Sequence, residues 1–105
     1  MNAIVVMTTV GDKEAGEKLA SALVVQKLAA CVQILPPMLS VYRWQENIEK
    51  ESECLLLIKT TEDSWDALSA FISANHPYDV PELIALKAAK VAEGYSKWLA
   101  DAVAS

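Results

Sequence analysis

Residues 40–45, Ser40-Val41-Tyr42-Arg43-Trp44-Gln45, and residues 54–58, Cys54-Leu55-Leu56-Leu57-Ile58, decide how the rest of the chain must fold. In the first stretch Tyr42 and Trp44 fall on one face and Arg43 and Gln45 on the other, the two-residue period of a half-exposed strand. The second is apolar at every position, as expected of a strand covered on both sides. The polar segment Gln45 to Glu53 between them must contain a reversal, predicted near Glu46-Asn47 because Asn tolerates the left-handed turn conformation. The two arms make a long hairpin with a buried second arm, and Glu49-Lys50-Glu51 with Glu53 reads as its solvated flank.

Upstream, Ala3 to Met7 is a short Ile- and Val-rich run ending at Thr8-Thr9 and Gly11, which favours a buried strand. From Lys13 to about Ala29 the spacing becomes helical, with Ala15, Leu19, Ala22 and Leu23 on one face and Asp12 and Glu14 where the helix dipole favours carboxylates. Cys31 to Leu35 is a second short strand, stopped by Pro36-Pro37. Downstream of the hairpin, Thr60 or Thr61 caps a helix carrying Trp65, Leu68 and Ile72 on its inner face. That helix must end near Asn75, because His76 precedes Pro77 and is pushed out of the helical region. Pro77 and Pro81 frame a stiff loop, Glu82 to Leu86 is the last strand, and a helix from about Ala92 places Tyr95, Leu99 and Ala102 on one stripe.

The order strand, helix, strand, strand, helix, strand, with a helix appended, predicts an α+β fold: a ferredoxin-like split βαβ sandwich with two helices on one sheet face. The other face needs a cover that one short helix cannot supply, so association through it or through the hairpin is expected. With 105 residues, the whole of 1–105 is read as a single domain. Its 53% hydrophobic content exceeds what a small sphere hides easily, which again points to subunit contacts.

Nine Lys and Arg against 14 Asp and Glu leave a net charge of −5, and the lysines are scattered singly, so a nucleic-acid partner is not expected. No apolar run reaches membrane-spanning length, and Met1-Asn2-Ala3-Ile4 lacks the basic region of a secretion signal; the expectation is a cytoplasmic protein with no membrane partner. The two cysteines, Cys31 and Cys54, lack C-x-x-C spacing and read as reduced, buried thiols.

His76 is the single histidine, which removes every His-rich catalytic or metal scheme one chain could supply alone. It suits a structural hydrogen-bonding role or a metal contact. Cys31 in an apolar strand makes a poor nucleophile, and no catalytic residue is assigned. Soft metals have only Cys31, Cys54, Met7, Met38 and His76 to choose from, none at recognisable ligand spacing. Any metal site is therefore built from distant strands or from different subunits. The loop His76 to Glu82 is either a stiff connection or a binding lip, and Tyr42, Trp44 and Trp98 are core or interface anchors or a ligand platform. With three glycines and no phosphate-cradling loop, nucleotide chemistry has no motif support.

Lys27-Leu28-Ala29-Ala30-Cys31-Val32, Ser40-Val41-Tyr42-Arg43-Trp44, Leu57-Ile58-Lys59-Thr60, His76-Pro77-Tyr78-Asp79-Val80-Pro81-Glu82 and the late Tyr95 and Trp98 together resemble, in order and spacing, the CutA divalent-cation tolerance family. The resemblance implies a homotrimer similar to PII signalling proteins, with no established catalytic activity and a link to copper and other divalent cations. It further implies an intersubunit cleft lined by Cys31, Tyr42, Trp44, Lys59, His76, Tyr78, Glu82 and Trp98. Of these, Cys31, His76 and Glu82 are the expected metal ligands, and Tyr42, Trp44, Lys59, Tyr78 and Trp98 the expected cleft walls. A PII-like sensor or assembly scaffold, holding a small anion against Lys59, is the alternative reading. The chain departs from the family pattern at Gln33, Pro37, Asp79, Lys87 and Val91 and in a hairpin turn without Gly. These positions touch bends and turns, except Asp79, whose carboxylate reaches less far than the usual Glu.

Overall fold

The hairpin is present and longer than predicted. In the computed structural model, which describes residues 2–104, strand β3 (Met38–Trp44) turns directly into β4 (Asn47–Thr61), a strand of 15 residues. The reversal uses Gln45 and Glu46, at φ 49° and 70°, so the left-handed pair lies one residue ahead of the expected Glu46-Asn47. Both central residues at positive φ match the right-handed twist of the flanking strands, which a two-residue hairpin loop requires. Pairing Trp44 with Asn47 and Met38 with Glu53 then sets the register of the whole ribbon.

The second half of β4 enters the main sheet between β1 (Ala3–Val10) and β2 (Cys31–Ile34), with β5 (Ile84–Lys87) on the far edge of β1. Every pairing is antiparallel, in the order β2-β4-β1-β5, with β3 continuing beyond β2 along the same edge of β4. This is the ferredoxin-like arrangement expected, drawn out to 44 Å by the protruding hairpin. The last strand begins at Ile84, two residues later than predicted, after Pro81 has removed a ladder donor.

Helices α1 (Lys13–Val25) and α2 (Trp65–Asn75) cover one sheet face. The core between them holds Ile4, Val6, Val10, Leu19, Leu23, Leu56, Ile58, Leu68 and Ile72. Asp12 caps α1 through a 2.8 Å bond accepted from the Ala15 amide. The helix stops four residues short of the predicted Ala29, because Lys27 adopts φ 59° while the Leu28 amide bonds Leu23 O and the Lys27 amide bonds Val24 O. That double bond pattern is a Schellman stop with Lys where Gly is usual. Thr61 precedes a short 3₁₀ turn, Glu62–Ser64, that leads into α2. At the other end His76 is extended, at ψ 139°, as its position before Pro77 demands.

On the opposite sheet face, α3 (Glu93–Val103) packs Leu99 against Ala3 and Ala30 at one end only. Leu39, Val41, Ile48, Ile84 and Leu86 remain exposed on the hairpin and the β5 edge.

Candidate functional site

Residues two apart on a strand share a face, and directly paired residues on neighbouring strands do too. Val5, Met7 and Thr9 of β1 therefore share the α3-side face with their partners Lys59, Leu57 and Leu55, and Cys31 joins them as the partner of Lys59. Farther along β4 the same face carries Glu53, Glu51 and Glu49, paired with Met38, Ser40 and Tyr42. Lys59 and Glu53, six residues apart, stand about 20 Å from each other along the strand.

The residues expected to form one site thus divide into two groups. At the α3 end are Cys31, Lys59 and Trp98: the Lys59 ammonium sits 5.9 Å above the Tyr95 ring, and Tyr95 tilts against Trp98 at 5.4 Å. At the hairpin end Tyr42, Trp44, Tyr78 and Glu82 line a groove of about 670 Å³ together with Thr9, Ser40, Glu51, Glu53, Asp79 and Val80. Its volume lies in the range of small-molecule sites.

His76 anchors this groove without lining it. It is buried, its Nε2 lies 2.7 Å from the Thr9 carbonyl oxygen, and its Nδ1 accepts the Tyr78 amide at 3.0 Å. Nδ1 as acceptor leaves Nε2 as the protonated nitrogen that donates to Thr9 O, so both ring nitrogens are engaged. A metal can reach His76 only by displacing one of these bonds. Thr9 is paired with Leu55, whereas Cys31 is paired with Lys59, so the two expected soft ligands stand about 13 Å apart along the sheet. Among the described residues of one chain, no three His, Cys, Asp or Glu side chains come together as a metal-binding group. Four carboxylates, Glu51, Glu53, Asp79 and Glu82, line the groove without converging as such a group.

Tyr78 packs edge-on against His76, at 4.8 Å between ring centres, and donates its hydroxyl to Glu53 Oε2 at 2.8 Å. Burial, then the Glu53 carboxylate, pushes the Tyr78 phenol well above the ordinary tyrosine range, so it remains a donor. Desolvation also raises Tyr42, with further contributions from Glu51, Glu49 and Glu53.

Glu53 and Glu51 are the groove residues that sequence reasoning placed in the solvated flank. Glu53 is only 8% exposed. The alternation of Glu49, Glu51 and Glu53 puts all three on the Tyr42–Trp44 face once the two-residue turn fixes the register. The signal was present, but it depended on the turn.

A ferredoxin-like domain with a protruding hairpin and an acidic, aromatic groove at its root is the class these observations define. The family model described as CutA1 divalent ion tolerance protein matches residues 4–102, and the chain belongs to that family. It is 48% identical over 96 residues to the chloroplastic CutA protein of Arabidopsis thaliana, a match covering 91% of this chain and 53% of that one. With the divalent-cation tolerance protein CutA of Thermus thermophilus it shares 43% identity over 92% of this chain and 94% of the other. The crystal structure of CutA1 from Oryza sativa superimposes with a TM-score of 0.94 at 46% identity, covering 97% and 94% of the two chains. That of CutA from Xylella fastidiosa does so with a TM-score of 0.95 at 35% identity, covering 99% and 100%. The chain spans about half the length of the plant relatives it matches. No described helix is long and apolar enough to cross a membrane.

Proposed function

We propose that this chain is the subunit of a cytoplasmic, non-enzymatic homotrimer that binds a divalent cation weakly near clefts between its subunits, and so contributes to cation tolerance. The observation that carries the reading is the groove: its charged lining residues, Glu51, Glu53, Asp79 and Glu82, are all carboxylates. Such oxygen donors suit divalent cations of the harder kind, whereas copper favours imidazole and thiolate. A copper site therefore needs Cys31 or a displaced His76 brought to Glu82 by a second copy. The exposed apolar side chains of the hairpin and of β5 support such association. Two free cysteines suit a reducing compartment.

Calorimetric titration of Mn²⁺, Cu²⁺ and Cu(I) into the purified protein and into Cys31→Ser, His76→Ala and Glu82→Gln tests the metal site, and sedimentation equilibrium tests the trimer. Weaker binding in Glu82→Gln supports the groove. Identical binding in all four proteins, or a stable folded monomer, refutes the corresponding half of the proposal.

The Lys59–Tyr95–Trp98 cluster favours a second reading, a sensor that holds a small anion at the α3 end. A midpoint of unfolding that rises with the concentration of a metabolite anion, and stays put in Lys59→Ala, supports it.

A further inference from the structure

The hairpin has two unlike faces. On one, Tyr42 and Trp44 of β3 stand beside Glu49 and Glu51 of β4, in the register that pairs Tyr42 with Glu49 and Ser40 with Glu51. On the other, Leu39, Val41 and Arg43 pair with Ser52, Lys50 and Ile48. Alternation along each strand keeps the two sets apart, so the exposed Arg43 and Lys50 lie on the side away from Glu49 and Glu51 of their own chain. Among the described residues none of these four charges joins an ion pair, the pairs being Lys13–Glu17, Lys87–Glu62 and Lys97–Asp101.

A two-stranded ribbon has no core of its own and is marginally stable in water without a cover. Leu39, Val41 and Ile48 are each more than half exposed, so the aliphatic face has no cover within one chain. Its chemistry says what fits: an apolar surface with carboxylates beside it. The opposite face of the same hairpin offers that combination, since aromatic rings receive aliphatic groups and guanidinium, and carboxylates receive Arg and Lys. Neither face suits itself. A two-fold contact sets carboxylates against carboxylates or cations against cations, whereas a head-to-tail contact brings the unlike faces together. Contacts of that kind close into a ring only with three or more copies. We propose that the occupant is a second copy of this chain: the Arg43 and Lys50 face of each hairpin seats on the Tyr42 and Trp44 face of the next, with Arg43 and Lys50 paired to the partner's Glu49 and Glu51. The inference rests on the trimer proposed above and adds what specifies it. The contact engages no carboxylate of the loop after α2, so Asp79 and Glu82 stay open to a cation.

The test is sedimentation equilibrium of the whole protein at low and high salt beside three variants, each checked for its fold by circular dichroism. Arg43→Glu/Lys50→Glu makes both faces acidic, Glu49→Lys/Glu51→Lys makes both cationic, and the quadruple variant exchanges the charges of the faces while keeping the net charge of −5. Both double variants should weaken assembly at least about tenfold at low salt and less at high salt, and the quadruple variant should restore it. The cationic double variant separates this contact from general repulsion, because each Glu→Lys adds two charges and brings the net charge from −5 to −1. Undiminished assembly of either double variant, or a quadruple variant as weak as they are, overturns the inference and leaves the trimer standing. A natural protein that stays a folded monomer removes the trimer and this contact together.

Discussion

The Tyr78 hydroxyl donates to Glu53 Oε2 across 2.8 Å, joining the proline-framed loop after α2 to the root of the hairpin. Through His76, which accepts the Tyr78 amide and bonds Thr9 O, the same loop is tied to β1. The groove wall is thus held by three hydrogen bonds that converge on two adjacent aromatic side chains.

Removing the first of these bonds with Tyr78→Phe leaves the buried Glu53 carboxylate without its donor. The expected loss is about 1–3 kcal/mol. For a domain of this size each kcal/mol moves the unfolding midpoint by about 4–8 °C. Thermal unfolding of Tyr78→Phe beside Tyr95→Phe, whose hydroxyl has no such partner among the described residues, checks it: equal midpoints would falsify the energetic role assigned to the Glu53 bond.

The raised phenol of Tyr78 has a consequence at high pH. A group whose proton is held more tightly in the folded state contributes stability fully below its unfolded pKa, about 10 for Tyr, and loses it as pH climbs through the folded value. Stability should therefore fall above pH ~10, and more steeply than in Tyr78→Phe. Ultraviolet titration of phenolate should show a late-ionising tyrosine that is missing from Tyr78→Phe. Titration curves whose late limb is the same in Tyr78→Phe contradict this.

His76→Ala removes two of the three bonds that fasten the loop. The Tyr78 amide loses its acceptor, and local opening should become easier by about 1–2 kcal/mol, which speeds its hydrogen exchange roughly 5–30-fold. The effect is expected in metal-free protein, whereas Cys31→Ser at the far end should leave that amide unchanged. Exchange that responds to His76→Ala only when metal is added would instead make His76 a ligand first and a bracket second.

Which of these features the sequence discloses follows from how local they are. The alternation at Tyr42–Trp44, the apolar run 54–58 and His76 before Pro77 are local signals, and the sheet, the hairpin and the end of α2 follow from them. Lys27 and Gln45–Glu46 are different: each takes a left-handed conformation usually given to Gly or Asn, imposed by the surrounding hydrogen bonds, so the end of α1 and the turn shifted from their expected places. Glu53 is hidden by a hydroxyl arriving from 25 residues away. The separation of Cys31 from His76 depends on register across three strands, which no local pattern encodes.

The hairpin turn offers the last prediction. Gln45 and Glu46 both hold positive φ, where an L side chain crowds its own backbone by about 1–2 kcal/mol per residue and Gly does not. Asn at the first position and Gly at the second fit this two-residue turn best. The double variant Gln45→Asn/Glu46→Gly should therefore be more stable than the natural chain by roughly 1 kcal/mol, after the greater freedom that Gly gives the unfolded chain is subtracted. Because neither residue lines the groove, Mn²⁺ titrations should be unchanged. A lower unfolding midpoint would mean that the Gln45 or Glu46 side chain makes a stabilising contact in the assembled protein, and sedimentation of the variant would then show whether that contact lies between subunits.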